Sequence, residues 1–283
     1  MKIGQALAYI IQRLKNVGVE NPHIEAFLIL SKTLDIPKER IVTQPDVEIK
    51  RSKQDILESI IKKREQRIPL AYILKEREFF GLEFYVEEGV LVPRPETEIL
   101  VEEILKRVPE KGEVLGFEVG VGSGCISVSL LKMRKNLKMV SIDISDKSIE
   151  VSRINAVKHG VLDRLSLLKV SIFSDLELND KFDFVVSNPP YIREEEFPNL
   201  MEEVKFEPRE ALISGKEGTE FYEKISIWAK ERLKNRGFVA FEIGIGQSNK
   251  VFQIIQSKGY RSIEVKKDLQ GIDRVIIGYN LEE

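Results

Sequence analysis

At 283 residues the chain has room for two domains, and 42% hydrophobic against 32% charged residues is the composition of a globular protein. One cysteine (Cys125) excludes an internal disulfide framework, and one cysteine with two histidines (His23, His159) leaves no metal site of the usual zinc kind and disfavours a Ser-His or Cys-His nucleophile. The net charge of −2 is uneven: residues 1–78 hold 15 Lys+Arg against 11 Asp+Glu and the remainder 29 against 35, a balance too weak to call for nucleic acid. No apolar run approaches the ~20 residues of a membrane span, and the N-terminus has no cleavage pattern. A cytoplasmic protein without a membrane partner is expected.

Residues 1–78 read as a small helical bundle. Residues 2–17 place Ile3, Leu7, Ile10, Ile11 and Leu14 on one helical face, and Gly18 ends it. Asn21-Pro22 opens a second helix to Leu34, with Ile24, Phe27, Leu28 and Leu34 as its apolar face. Pro37 begins a third, and Ser52 is placed to cap a fourth that carries Ile56, Ile60 and Ile61. The bundle has no catalytic pattern. It serves either as packing or as a docking domain for a macromolecular substrate.

Residues 79–92 are rich in aromatic and β-branched types and read as a hairpin linker turning at Glu88-Gly89. Pro93 and Pro95 hold Arg94 in extended backbone, either in a salt bridge or beside an active site. The domain 93–283 then alternates. Strands are expected at 113–119, 139–144, 165–173, 182–187, 238–243, 262–266 and 274–278, with helices at 125–134, 146–158, 218–233 and 247–256. That alternation predicts a doubly wound, largely parallel α/β sheet. The last two strands follow each other directly and can pair antiparallel at one edge.

Glu118-Val119-Gly120-Val121-Gly122-Ser123-Gly124 joins the first of these strands to its helix. The spacing G-x-G-x-G lets the backbone turn tightly and a ligand approach closely. It is not the dinucleotide pattern, since Cys125 stands where a third glycine belongs, and it lacks the Lys of a phosphate loop. Glu118 is awkward for a polyphosphate and suits an ammonium group. The loop points to a cationic, phosphate-free nucleoside such as S-adenosylmethionine, or else to an ordinary strand–helix turn. Asp143, 23 residues after Gly120, falls where a carboxylate accepts from ribose hydroxyls, or caps the next helix. Phe173 packs on an adenine ring or in the core.

Phe182–Ser187 reads as a buried strand stopped by Pro189 and Pro190, neither of which can donate to a ladder. Asn188 therefore sits at a strand end, where ligands bind in open α/β sheets. Its carbonyl oxygen and that of Pro189 could hold a planar NH₂ group, with Tyr191 stacked on its plane. The alternative is an Asx turn with a packed tyrosine.

The combination resembles the class I S-adenosylmethionine-dependent methyltransferases with an (Asn/Asp/Ser)-Pro-Pro-(Tyr/Phe/Trp) motif. Two subclasses share it, one acting on amino groups of nucleic-acid bases, the other on the side-chain amide of glutamine. Pro-Arg-Pro-Glu-Thr-Glu (93–98), the glycine loop (118–124), Ser-Asn-Pro-Pro-Tyr-Ile (187–192), Glu-Pro-Arg-Glu-Ala-Leu (207–212) and Phe-Glu-Ile-Gly-Ile-Gly-Gln (241–247), after a helical domain, resemble the HemK/PrmC family. These are the protein-(glutamine-N5) methyltransferases of peptide chain release factors.

The resemblance implies a Rossmann-like seven-stranded sheet with its last strand antiparallel, and transfer from S-adenosylmethionine to the glutamine of a Gly-Gly-Gln motif. It implies Asn188, Pro189 and Tyr191 as catalytic, with Pro190 and Arg94 joining them on the substrate. It implies Glu118, Gly120, Val121, Gly122, Ser123, Gly124, Asp143, Phe173 and Asn188 for the cofactor. A release factor is the expected partner of a monomeric enzyme with no stable nucleic-acid binding. The chain differs from the family pattern at Glu118, where Asp is usual, and Val121, where Thr is frequent. The alternatives are a base amino-group (adenine-N6 or guanine-N2) methyltransferase, a nucleotide-dependent oxidoreductase, which the glycine spacing disfavours, and a binding module without catalysis.

Overall fold

The structure, a computed structural model, describes residues 1–281. It divides into two compact units. One is Met1–Glu76 together with Met201–Phe206, and the other is formed by the rest.

The first unit holds α1 (Ile3–Asn16), α2 (Pro22–Leu34), α3 (Lys38–Thr43), α4 (Arg51–Glu65) and α5 (Leu70–Leu74). Its core is Ile3, Ala6, Ile10 and Leu14 of α1 against Ala26, Ile29 and Leu30 of α2 and Leu57 and Ile61 of α4. Three expectations are corrected here, one being Ile56, which is exposed on α4 while Leu57 and Ile61 face the core. The buried face of α2 is rotated from the expected one to Ala26, Ile29 and Leu30, leaving Ile24 exposed and Phe27 and Leu34 partly buried at its margin. Ser52 lies inside α4, whose N-cap is Lys50. Burial of a paired charge ties in the segment Met201–Phe206: Arg64, almost fully buried, donates to Glu25 and, at 2.8 Å, to Glu203, which Arg67 also contacts.

The second unit begins at Arg77, within β1 (Glu76–Phe79), which pairs with β2 (Leu82–Tyr85) as a two-stranded sheet. The turn between them is Phe80-Gly81, not Glu88-Gly89. Both residues there have positive φ, 52° and 69°, and Gly81 takes that backbone without strain. Then come α6 (Thr97–Arg107), β3 (Val114–Val119), α7 (Cys125–Met133), β4 (Leu137–Asp143), α8 (Asp146–Lys158), β5 (Leu165–Lys169) and β6 (Phe182–Ser187). A short pair, β7 (Ile192–Arg193) and β8 (Ile213–Gly215), brackets α9 (Arg209–Leu212). The chain closes with α10 (Glu220–Arg232), β9 (Leu233–Glu242), α11 (Ser248–Ser257), β10 (Arg261–Lys267) and β11 (Asp273–Tyr279).

Among the described residues seven strands form one sheet in the order β10-β11-β9-β6-β3-β4-β5. The strands β9, β6, β3, β4 and β5 are mutually parallel; β11 is antiparallel to β9 and to β10. The expected doubly wound sheet with its last strand antiparallel is thus the fold, with β11 inserted inside β10. Both faces are covered, so β3 and β6 are apolar apart from Glu118, Asp183 and Ser187. On one face Phe117, Phe182 and Trp228 pack ring to ring, Phe117 to Trp228 at 4.4 Å between centroids. Because β3, β4, β6 and β9 are parallel, Val119, Asp143, Ser187 and Glu242 all end at one edge. That edge is where an open α/β sheet binds ligands.

Candidate active site

Beyond that edge the loops following β3, β4, β5 and β6 border a cleft of about 880 Å³, partly open to solvent. The three glycines of the first loop do different work. Gly120 (φ 78°) and Gly122 (φ 52°) face open space: a Cβ on either would meet no atom within 4 Å. Gly124 (φ 80°) instead packs tightly, since a Cβ there would come within 3.1 Å of Ser152 on α8. The loop is pinned from behind, with Gly120 and Val121 N–H donating to the Ile142 carbonyl at 2.9 and 3.0 Å. The side chains of Val121 and Ser123 are turned inward and buried.

Asp143 lines the cleft at the end of β4. Its carboxylate accepts from Gly122 N at 3.0 Å and from Ser145 N at 2.9 Å, so it fixes the glycine loop and keeps a second lone pair on each oxygen. Burial pushes its pKa up, and these backbone N–H groups pull it back down. The cap of α8 is Ser145, not Asp143. Phe173 is half exposed on the cleft wall, edge-on to Phe221 at 5.0 Å, and so is not a core residue. A carboxylate, an open glycine cradle and an exposed ring suit a nucleoside. The glycine loop brings no cation for a phosphate.

Asn188, Pro189 and Pro190 line the same cleft at the end of β6. Asn188 Nδ2 donates to Thr97 Oγ1 at 3.2 Å, which turns the amide nitrogen inward. Thr97 Oγ1 in turn donates to Glu242 Oε2 at 2.5 Å. Tyr191 is half-buried among apolar residues of the α10 and α11 side. Burial pushes its phenol up; Glu242 adds to this, and Arg94 and Arg274 oppose it. Gly244 packs closely here: a Cβ would lie 2.8 Å from Gln247 Oε1 and 3.0 Å from the Tyr191 ring. Arg94 pairs with Glu207, whose carboxylate is buried and also accepts from Val92 N.

Residues 94–217 match the family model of the methyltransferase small domain, and residues 5–74 that of the PrmC N-terminal domain. The release factor glutamine methyltransferase of Clostridium acetobutylicum is 38% identical over 279 residues, covering 98% of both chains. The chain belongs to the release factor glutamine methyltransferase family. The enzyme of that name from Aquifex aeolicus is 45% identical over 77% of this chain and 76% of its own. A solved methyltransferase from Pyrococcus furiosus shares the fold, with TM-score 0.52 at 18% identity over 80% of this chain and 98% of that one.

Of the residues singled out from the sequence, Gly120, Gly122, Asp143, Phe173, Asn188, Pro189 and Pro190 line the cleft, and Val121, Ser123, Gly124, Tyr191 and Arg94 do not. Glu118 is placed elsewhere. Its side chain is fully buried between β4 and α7, where its Oε2 accepts from Ser127 and, at 3.2 Å, from Ser141. Burial pushes its carboxyl up to about 8. Strand alternation explains this: Val119 and Phe117 face one side of β3, Glu118 the side covered by α7. Several site residues carried no signal of their own. Pro208 and Ala211 lie in Glu-Pro-Arg-Glu-Ala-Leu and line the cleft, as does Gly89 of the linker. Thr97, Glu242 and Gln247 lie in quoted motifs, but nothing in their spacing shows that they meet.

Proposed function

We propose that this enzyme transfers a methyl group from S-adenosylmethionine to the side-chain amide nitrogen (N5) of the glutamine in the Gly-Gly-Gln motif of peptide chain release factors. The observation that carries the reading is Asn188. It stands beside the glycine cleft with its amide nitrogen tied to Thr97, which leaves its Oδ1 as the acceptor on offer.

The cofactor supplies a sulfonium methyl whose transfer leaves a neutral thioether, so departure needs no acid. The chain's own task is the nucleophile. An amide nitrogen is poor because its lone pair is delocalised, so it must be held in reacting geometry. Asn188 Oδ1 and the Pro189 carbonyl each accept one N–H of the target. They aim the nitrogen and stabilise the positive charge that grows on it. The N–C bond forms as the C–S bond breaks, and one N–H proton passes to water. Tyr191 covers the amide plane, and Pro190 and Arg94 shape the wall around it. Asp143 accepts from ribose hydroxyls, Phe173 packs on the base, and the backbone from Gly120 to Gly124 lies along the ligand. Glu118 lies behind that loop, tied to Ser127 of α7 and Ser141 of β4.

Residues 1–78 are the docking domain for the release factor, 79–92 the linker and 93–283 the transferase. Among the described residues no helix is long and apolar enough to cross a membrane. The test is to incubate the enzyme with methyl-labelled S-adenosylmethionine and a release factor, the same factor with its motif glutamine replaced, or DNA. Label should enter only the first. Label in DNA would favour the base-methylating subclass.

A further inference from the structure

Asn188, Thr97 and Glu242 come from three elements, the ends of β6 and β9 and the start of α6, and form one hydrogen-bonded line. Thr97 and Glu242 are 2% and 3% exposed, so water does not substitute for either. A hydroxyl has one proton. While Thr97 spends it on the Glu242 carboxylate, its oxygen can only accept. Asn188 must then offer nitrogen inward and oxygen outward. The two ends of an asparagine amide are nearly the same size, so packing alone does not choose between them. We propose that Thr97 and Glu242 are positioning residues that decide which end of the Asn188 amide meets the target nitrogen. This rests on the reading that Asn188 is an acceptor for the substrate amide.

The line has a direction that a proton reverses. With Glu242 protonated, its O–H can donate to Thr97, Thr97 to Asn188 Oδ1, and the amide turns over. An NH₂ group then faces the target NH₂, and one of two acceptors is lost. Several groups bear on Glu242. Glu96 at the start of α6 raises its pKa; Arg274 of β11 and Arg94 lower it. Tyr222 of α10 donates to its backbone carbonyl at 3.0 Å, and Tyr191 and Cys125 of α7 are also near, both kept neutral by burial. Burial is the largest influence and pushes Glu242 up to about 7. The outward oxygen is therefore secured above neutrality and lost below it.

The test measures transfer to an intact release factor at saturating cofactor. Thr97→Val should lower kcat by roughly tenfold or more with unchanged cofactor affinity, and Thr97→Ser should restore most of it. In an Asn188→Asp background both ends of the side chain are oxygens, so adding Thr97→Val should cost less than about threefold. Wild-type kcat should fall below about pH 7, and Glu242→Gln should flatten that profile. Three results would overturn the proposal: Thr97→Val turning over like wild type while Asn188→Ala does not, an equal Thr97→Val penalty in the Asn188→Asp background, or a Glu242→Gln profile like that of wild type. Should Thr97→Val not fold, the Glu242→Gln profile decides alone. Asn188→Ala turning over like wild type would instead sink the acceptor reading itself.

Discussion

Gln247 holds Tyr191 by its main chain: Gln247 Nε2 donates to the Tyr191 carbonyl at 2.8 Å and to the Gly218 carbonyl at 3.2 Å. Its Oε1 accepts from Gly244 N at 3.1 Å. Pro189 and Pro190 have no N–H to anchor, so the Asn-Pro-Pro-Tyr loop is braced through carbonyls from the loop after β9. Gln247→Glu keeps the size but removes both donors and sets a carboxylate against two carbonyl oxygens. It should lower kcat roughly tenfold and stability by about 1–3 kcal/mol. Unchanged turnover and melting temperature would show that the loop stands without this brace.

Asp143 serves the glycine loop and, as proposed, the cofactor ribose. A hydrogen bond to a charged group contributes roughly 1.5–3 kcal/mol, so Asp143→Ala should weaken S-adenosylmethionine binding about ten- to a hundredfold. Calorimetric titration reads this directly. Equal affinity in a folded variant would remove Asp143 from the cofactor site.

The docking role of the helical unit rests on its positive balance. Lys62 and Lys63 are exposed at the end of α4. Reversing both to Glu should raise KM for the release factor several-fold, most at low salt, and leave KM for S-adenosylmethionine alone. A KM for release factor that does not respond to either change would argue that the bundle is only structural.

Burial holds the Glu118 carboxyl at about 8 in the folded chain, far above its unfolded value. The proton therefore binds the folded state more tightly. The stability this confers is full at pH 4 and below, and it is lost as pH rises through 8. Glu118→Gln removes this dependence and keeps an oxygen to accept from Ser127 and Ser141. Wild type should lose melting temperature between pH 5 and pH 9, and the variant should lose less, gaining about 5 °C on wild type at the upper end. Parallel profiles for the two proteins would count against a buried, protonated Glu118.

Much of this was legible in the chain because it is local. Phe182–Ser187 is a short Phe- and Val-rich run followed by two prolines, and its end fixes Asn188 without further information. The glycine spacing by itself departs from the dinucleotide and phosphate-loop patterns. What was illegible depends on distance or on parity. Thr97 and Glu242 are 145 residues apart, and no periodicity links them. Glu118 reads as a ligand-facing acid from its place before the glycines, yet the pleat of β3 turns it toward α7. The linker has two Gly-containing turns, and only strand pairing decides that Gly81 makes the hairpin while Gly89 borders the cleft.

Asn188→Ala deletes one of two acceptors proposed for the target NH₂ while leaving β6 and both prolines. The side chain is half-buried at a strand end, and its one hydrogen bond in the structure goes to Thr97, so the fold should survive with a loss of about 1 kcal/mol. If the contact tightens as the nitrogen becomes positive, its loss falls on kcat more than on KM. By the measure of other preorganised polar contacts the cost is about 10²–10³-fold. Asn188→Asp keeps an acceptor and adds charge that favours the cationic transition state, so it should retain more activity than Asn188→Ala. Single-turnover rates on a release factor that carries its motif glutamine separate these cases. Equal rates for wild type and Asn188→Ala would make Asn188 a turn residue and leave the cleft without its acceptor.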